Sequence, residues 1–458
     1  TFNQKIKAGS GNITLREDSS SGTVVENFGI GSSVTISNNE LSLTPTSNLS
    51  EEQLYYLSYP SGVITNMAGE SYVGTAYTFK AMSYDYTLWG AGENSNGALG
   101  QNSTTNYSSP VQIPGTNWKT LAIGWNDIYQ SYGIKSDGTL WSWGTNSHGQ
   151  LGHNNVIQKS SPTQVPGTTW SNLVWKEGIS MATRTDGTLW AWGANTVGWL
   201  GQNNLTKYSS PTQIPGTWAT GSTKIANGGA LAAINSDGEL FTWGDSADGK
   251  LGLNQFGSYY STPSRVNSRS SPTQVFGGGT TWRSVHGGYS SFAATKTDGS
   301  LYTWGNSGGG QLGLNSAGGH NPNFALAYPN SMSSPTQVPG TTWTTKIAGG
   351  QVNWFAIKSD GTLWAWGSNP AGELGQNNRT QYSSPVQIGS DTTWDHVSSG
   401  EASPRATKTD GTFWVWGNNS DGRLGLNSRA KYSSPVQVPG TDWYRTAGAG
   451  LSQKRVTP

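Results

Sequence analysis

TLWAWGSNPAGELG, residues Thr362–Gly375, decides how the rest of the chain is read. Its opening run Leu363-Trp364-Ala365-Trp366 alternates. Side chains alternate faces along a strand, so Trp364 and Trp366 point the same way. Gly367, Gly372 and the Leu374-Gly375 pair follow as turn signals. The signature returns as TLWSWGTNSHGQLG (Thr139–Gly152), TLWAWGANTVGWLG (Thr188–Gly201), ELFTWGDSADGKLG (Glu239–Gly252), SLYTWGNSGGGQLG (Ser300–Gly313) and TFWVWGNNSDGRLG (Thr412–Gly425). A degenerate first version, TLWGAGENSNGALG (Thr87–Gly100), has Ala91 where the others carry the second Trp, which makes seven copies in all.

Each copy is followed by Ser-Ser-Pro, at Pro110, Pro162, Pro211, Pro272, Pro335, Pro385 and Pro435. A Trp comes next after a short turn, at Trp118, Trp170, Trp218, Trp282, Trp343, Trp394 and Trp443. A third block, such as Phe355–Gly361, leads into the next copy. Every full unit therefore offers four short strands at a period of about fifty residues, the mark of a solenoid or propeller. Four-stranded blades close into a ring when seven are present, and closure removes exposed sheet edges. Trp443 and a possible strand Lys454–Thr457 are not followed by another copy. Phe79–Ser83 and Thr87-Leu88-Trp89 resemble the third and fourth strands of a blade. N-terminal strands are thus expected to complete the blade begun at the C-terminus.

The Asp-Gly-Thr-Leu-Trp-x-Trp-Gly, Asn-x-x-Gly-x-Leu-Gly and Ser-Pro-x-Gln-Val blocks resemble the regulator-of-chromosome-condensation repeat family over roughly Phe79–Pro458. The resemblance implies a seven-bladed propeller. That family includes a nucleotide-exchange factor, a secreted enzyme inhibitor and many bacterial and phage surface proteins. A histidine that often follows the glycines before the third strand is absent from every copy, so the functions of the eukaryotic members are not carried over.

The first eighty or so residues carry no repeat. Ile13-Thr14-Leu15, Val24-Val25, Val34-Thr35-Ile36, Leu41-Ser42-Leu43, Tyr55-Tyr56-Leu57 and Tyr77-Thr78-Phe79 are short strands between turn residues, a spacing that suggests an antiparallel sandwich. TFNQKIKAGSGNITL, SGTVVE, LSLTPTSNL, SYPSGVITNMAGESYVG and YTFKA resemble bacterial Ig-like domains of the S-layer and adhesin type. The resemblance implies a first strand ahead of Thr1, which the sandwich is expected to lack. The expected fold is all-β: an Ig-like β-sandwich over residues 1–79, then a seven-bladed propeller over residues 80–458. Glu17, Asp18 and Glu70 are read as solvated loop charges rather than a calcium site.

Composition narrows the function. A net charge of +1 argues against nucleic acid as a partner. No apolar run approaches the roughly 18 residues needed to cross a bilayer, so no membrane insertion is expected. The chain has no cysteine, which excludes disulfides and thiolate metal sites and suits a bacterial surface or virion protein.

Repetition acts as an internal control: what recurs serves the blade, and what differs is free for function. Eighteen of the 22 tryptophans fall in the two repeat slots and are expected to pack between blades. Asp137, Asp186, Asp237, Asp298, Asp360 and Asp410 each precede a glycine, and Asp-Gly between strands is a hairpin turn whose two residues tolerate positive φ. Between Leu-Gly and Ser-Ser-Pro, five copies have seven residues, copy four has seventeen (Leu253–Arg269) and copy five has nineteen (Leu314–Met332). Long loops in compact domains are often functional. Candidate ligand-binding residues are Phe256, Tyr259, Tyr260, Arg265 and Arg269 in one insertion, and His320, Asn323, Phe324 and Tyr328 in the other. Strand parity puts the insertions on one face, with the Pro-Gly and Asp-Gly turns on the opposite face. The four unrepeated tryptophans, Trp125, Trp175, Trp199 and Trp354, fall in or near segments of the insertion face and are weaker candidates.

No catalytic motif is present, and no metal or cofactor is expected. His148 and His153 read as an exposed loop pair. The expectation is a non-enzymatic extracellular protein of a virion or cell surface, such as a tail fibre or adhesin, binding a host glycan or protein. One alternative is an assembly or decoration subunit that binds sister virion or surface subunits. Another is a polysaccharide-active enzyme using Glu177 and Glu401.

Overall fold

Short apolar runs separated by Gly, Asn and Pro leave no room for a helix of useful length, and among the described residues every regular element is a strand. The computed structural model describes the chain apart from residues 1–4, 18, 31–33, 38–39, 44, 46–48, 50–53, 73–76, 81–85, 93, 124–129, 177, 258–266, 316–330, 401, 421–423, 441–442, 447–452 and 457–458. It divides into two units, Thr1–Tyr84 and Asp85–Pro458.

In the first unit, Val24–Gly29, Asn12–Glu17, Leu54–Ser58 and Tyr77–Lys80 make a four-stranded antiparallel sheet in that order. Val34–Ser37 pairs with Glu40–Leu43, and Ile6–Ala8 pairs with Ile64–Asn66. The six strands expected from sequence all form; Ile6–Ala8 and Ile64–Asn66 are additional. Ile13 and Leu15 alternate into the core with Phe28, Tyr55, Val63 and Ile64. Glu70 binds Asn66 through its backbone N–H and its carboxylate, at 2.9 and 2.8 Å. That bonding closes a turn; Asp18 lies outside the described residues.

In the second unit the described residues form seven four-stranded antiparallel sheets. The plan is clearest in copy two. A lead strand Trp118–Ile123 is followed by an apolar strand Gln130–Lys135, the WxWG strand Leu140–Gly144 and the Ser-Ser-Pro strand Lys159–Gln164. Apolar strands such as Ser291–Lys296 and Asn353–Lys358 are buried on both faces, which is why they read as unbroken runs of small and apolar residues. The proline falls where the register shifts between the WxWG and Ser-Ser-Pro strands, so its missing N–H breaks no ladder bond. The lead strand of each sheet packs on the sheet before it, and sheet seven packs on Trp443–Thr446.

Sheet one joins the two ends of the repeat region. Trp443–Thr446 and Gln453–Val456 lie beside Tyr86–Gly92 and Tyr107–Ile113, with Arg455 opposite Thr87. Strands from both ends of the repeat region therefore share one sheet, and the strand next to Thr87 is Gln453–Val456 and not Phe79–Ser83. Tyr77–Lys80 is already committed to the edge of the first unit's sheet, where Phe79 stacks on Tyr55 at 5.6 Å. Residues 81–83 lie outside the described residues.

At the six junctions from sheets one and two to sheets six and seven, neighbouring sheets are clasped by the same three contacts. The second Trp of each full copy donates its indole N–H to a carbonyl of the preceding copy, for example Trp192 to Gln150 at 2.7 Å and Trp416 to Glu373 at 2.6 Å. The same bond joins Trp143 to Ala98, Trp243 to Trp199, Trp304 to Lys250 and Trp366 to Gln311. The Asn that follows each Leu-Gly-x takes a left-handed backbone, φ 53–58° at Asn102, Asn154, Asn203, Asn254, Asn315 and Asn377. Asn tolerates that region better than most residues. Each of these Asn donates its backbone N–H to a serine carbonyl in the next Ser-Ser-Pro strand, as Asn203 does to Ser270 at 2.7 Å. The glycine ahead of Leu-Gly lets the two chains meet: at Gly198, φ is +83° and a Cβ would sit 2.4 Å from Ser270 Cα. The lead-strand and second WxWG tryptophans described here are 0–5% exposed and fill the gaps between sheets, as their repetition led one to expect.

Candidate functional site

The repeated polar residues are structural. Asp137, Asp186, Asp298, Asp360 and Asp410 each accept the N–H and the hydroxyl of the Thr or Ser two residues on, at 2.9–3.0 and 2.6–2.7 Å. Those hydroxyl bonds hold the five carboxyls below the usual aspartate range. The Asp-Gly pairs are hairpin turns, but only the glycine is left-handed, with φ 77–80°. The aspartate is needed as a side-chain acceptor rather than for its tolerance of positive φ.

The first WxWG tryptophan has its own partner. Trp141, Trp190, Trp364 and Trp414 are half-buried, each with a cation stacked between it and the lead-strand Trp. Arg184 lies 4.4 Å from the Trp170 ring and 4.3 Å from Trp190; Lys358 lies 4.7 Å from Trp343 and 4.1 Å from Trp364. Lys135, Lys296 and Lys408 occupy the same place, with Tyr302 as the outer ring in copy five.

Copies four and five differ from the others beneath their insertions. Elsewhere an Asn ties the seven-residue loop shut. Asn146, Asn195, Asn369 and Asn419 accept the leucine N–H five residues on and donate to carbonyls nine and eleven residues on. Copies four and five have Ser246 and Ser307 there; the Ser246 hydroxyl meets Ser268 Oγ and the Ser307 backbone N–H donates to Ser331 Oγ, each at 3.3 Å. A serine side chain is too short to hold two loop carbonyls as the Asn does; in copy four the start of the insertion is tied through backbone instead, the Gly257 N–H donating to the Ser246 carbonyl at 3.0 Å. Copy four also buries an ion pair, Lys250–Asp245 at 3.1 Å, with 4% and 7% exposure. Burial pushes the neighbouring Asp248 carboxyl up. Copy five places neutral Asn306 and Gln311 at the matching positions, bonded at 2.9 Å.

Of the insertion residues, Phe256 is 44% exposed, and Arg269 is half-buried with its guanidinium on the Asn267 carbonyl and the Gln255 side chain. Tyr259, Tyr260, Arg265, His320, Asn323, Phe324 and Tyr328 lie outside the described residues, as do Trp125, Glu177 and Glu401. The unrepeated tryptophans that are described are packing residues. Trp354 is fully buried and donates to Ser291 Oγ at 3.2 Å; Trp199 is 9% exposed with its N–H toward the Gly229 carbonyl. Neither offers a ring to a ligand. Trp175 is half-buried beside Tyr132, ring centroids 6.0 Å apart. His148 is exposed, whereas His153 is half-buried between Ser142 Oγ at 3.0 Å and the Thr163 carbonyl at 3.2 Å. Burial lowers the affinity of His153 for a proton. Among the described residues no group of three or more metal-ligating side chains occurs.

One feature was missed from sequence. Val156, Leu205 and Phe256 take the same slot, two residues after the left-handed Asn, in copies two, three and four. They are 61%, 61% and 44% exposed, and Ile157 beside Val156 is 63% exposed. Copies six and seven have Arg379 and Arg429 there instead. Single exposed apolar residues are ordinary; the same slot apolar in three adjacent sheets, next to both insertions, makes a row. Aligning the loops, and not only the glycines, would have found it.

A model of the regulator of chromosome condensation (RCC1) repeat matches residues 137–173, 186–233, 237–290, 298–357, 360–402 and 410–450. A bacterial Ig-like domain model matches residues 1–85. The chain is 26% identical to the ultraviolet-B receptor UVR8 of Arabidopsis thaliana over 67% of this chain and 66% of that protein. It is 28% identical to the mitochondrial RCC1 domain-containing protein RUG3 of the same plant, over 46% and 37%. It is 30% identical to the probable E3 ubiquitin-protein ligase HERC6 of Homo sapiens, over 32% and 13%. The chain thus spans no more than 66% of any of these relatives. Among solved structures, Prp20p of Saccharomyces cerevisiae, studied for binding to Gsp1p and histones, superposes with a TM-score of 0.67 at 18% identity, covering 81% of this chain and 91% of that one. Human WBSCR16 superposes with a TM-score of 0.61 at 18% identity, covering 81% and 99%. With the repeat matched over more than half of its length, the chain belongs to the regulator of chromosome condensation (RCC1) repeat family.

Proposed function

We propose that the seven sheets are the blades of one closed propeller and that its insertion-bearing rim binds a protein partner without catalysis. The observation that carries this reading is the run of apolar loop tips in copies two to four, continued by the two long insertions. Apolar rows rimmed by polar loops mark protein contacts. Structures of the same fold come from proteins that bind proteins, Prp20p with Gsp1p, histones and Kap60. The Ig-like unit, ending near residues 79–84, serves as base or spacer. The setting we assign is extracellular, on a virion or cell surface, as a tail-fibre or adhesin head that recognises a host protein or glycan. The absence of cysteine and the bacterial type of the Ig-like match support that setting.

The test compares three proteins on host cells or envelope fragments: the natural chain, one with both insertions cut to seven residues, and one with Val156, Ile157, Leu205 and Phe256 changed to Ser. Retained folding with lost binding in both variants supports the rim. Unaltered binding in both moves recognition elsewhere on the molecule. Binding to sister subunits only, lost in the same variants, establishes the assembly role in its place.

A further inference from the structure

In copies two, three, five, six and seven the space between the lead-strand Trp and the outer aromatic ring is filled by the chain's own cation. Copy four keeps the rings and lacks the cation. Trp218 and Phe241 meet edge to face, centroids 5.7 Å apart at 81°, close to the 6.2 Å and 75° of Trp170 and Trp190 around Arg184. The position of Arg184 is taken by Asn235. Its side chain turns away into the hairpin, donating to Glu239 at 2.8 Å and accepting the N–H groups of Asp237 and Glu239. Among the described residues no cation lies over either ring. What remains is a cavity of about 440 Å³ at the junction of sheets three and four, walled by Trp218, Phe241, Asn235, Gly216, Pro215 and Pro272. In copy three the matching glycine, Gly167, abuts the Arg184 guanidinium, so close that a Cβ would sit 2.5 Å from it.

A second substitution accompanies the first. The Thr or Ser that follows the Asp-Gly turn in the other copies is Glu239 here. Its two carboxylate oxygens accept from Asn235 and Gln274, at 2.8 and 3.2 Å, so it adjoins Asn235, which walls the cavity. Relative to the other copies the slot has lost its positive charge, and a negative charge has been added next to it, one hydrogen bond away through Asn235. An aromatic corner with a carboxylate beside it is complementary to a cation that can also stack.

We propose that this slot receives an arginine side chain presented by a partner protein. The guanidinium would lie where Arg184 lies in copy three, stacked on one ring with its edge toward the other, and Glu239 would accept its N–H groups. Arginine is preferred to lysine because the planar group matches the flat walls of Trp218, Pro215 and Pro272 and because its fork suits a carboxylate. The slot is independent of the rim described above and uses none of its residues.

The test is saturation-transfer NMR with N-acetyl-arginine amide, N-acetyl-lysine amide and the neutral isostere N-acetyl-citrulline amide. The natural protein should bind the arginine probe several-fold more tightly than the lysine probe and roughly tenfold more tightly than citrulline. Asn235→Lys, which restores the chain's own cation, should abolish the arginine signal and raise the thermal midpoint. Glu239→Thr, the residue of copies two, three, six and seven, should weaken arginine binding several-fold while leaving the fold intact. Equal signals for arginine and citrulline, or arginine binding unchanged in both variants, would overturn the assignment; stronger binding of lysine would overturn the choice of guanidinium. If Asn235→Lys does not fold, Glu239→Thr alone decides, because the proposal requires it to lose affinity.

Discussion

At the residue scale, one indole N–H per sheet does much of the joining. Trp416 donates to the Glu373 carbonyl in a fully buried setting. Trp416→Phe keeps the ring and strands that carbonyl, which should cost about 1–3 kcal/mol; Trp416→Ala should cost about 3–5 kcal/mol. Urea unfolding of the two variants separates bond from packing: equal losses would show that the N–H carries the whole effect and that ring packing adds nothing, whereas a negligible loss in Trp416→Phe would show that the N–H contributes nothing. His286, on the lead strand of sheet five, responds to pH. Burial pushes its imidazole down to about 4, whereas in an unfolded chain it takes up its proton near 6.5. Its neutral form is the folded one. Its contribution is therefore complete above about pH 6.5 and drains away as the pH falls toward 4. His286→Gln should flatten the dependence of the urea midpoint on pH in that window. The Asp-Gly carboxyls act lower down, since their folded values are depressed: they favour the fold above the ordinary aspartate value of about 3.9 and cease to as pH falls through their lowered values. Two separate acid limbs should appear, and only the upper one should vanish in the histidine variant.

At the scale of the element, the sequence was legible where it repeated and misleading where local pattern had two uses. The glycines, the Ser-Ser-Pro blocks and the alternating tryptophans predict the strands that form. Phe79–Ser83 alternates as a blade strand should, yet pairing with Leu54–Ser58 claims Tyr77–Lys80, and alternation alone does not name a partner. Trp354 is unrepeated, which made it a candidate, but it is buried like the repeated ones; repetition identifies shared packing and says nothing of packing that one copy has to itself. The stacked cations were invisible because Trp343, Lys358 and Trp364 meet only when three strands pair. The Asn-to-Ser exchange at 246 and 307 was readable and was not read. It implies that the Asn holds the short loop. Asn369→Ser should leave the sheet standing and raise amide exchange across Gln376–Gln381 about tenfold or more, a loss of at least about 1.4 kcal/mol in local opening. Unchanged exchange would mean the left-handed Asn377 is clamp enough.

At the scale of the molecule, the outcome that matters is closure. Repeat arrays held only by neighbours unfold by fraying from their ends, and sheet one removes both ends at once by pairing Arg455 with Thr87. Removing Trp443–Pro458 leaves Tyr86–Gly92 and Tyr107–Ile113 as a two-stranded remnant with an exposed edge. That truncation should broaden the thermal transition, lower its midpoint by about 10 °C or more and favour self-association. A sharp transition at the original temperature would mean that the other six sheets are self-sufficient.

The shared sheet also has a consequence for how the protein is made. Tyr86–Gly92 leaves the ribosome long before Gln453–Val456 exists to lie beside it. Sheets two to seven have every strand they need as each is synthesised, and they are able to fold in order behind the exit tunnel. Sheet one must wait with an open edge until Gln453–Val456 has been made, and then pay for bringing together the two most distant parts of the repeat region. The event that seals sheet one thus follows the making of the other six sheets, and any pause or premature stop ahead of Gln453 leaves a chain with six whole sheets and a strand-hungry flank.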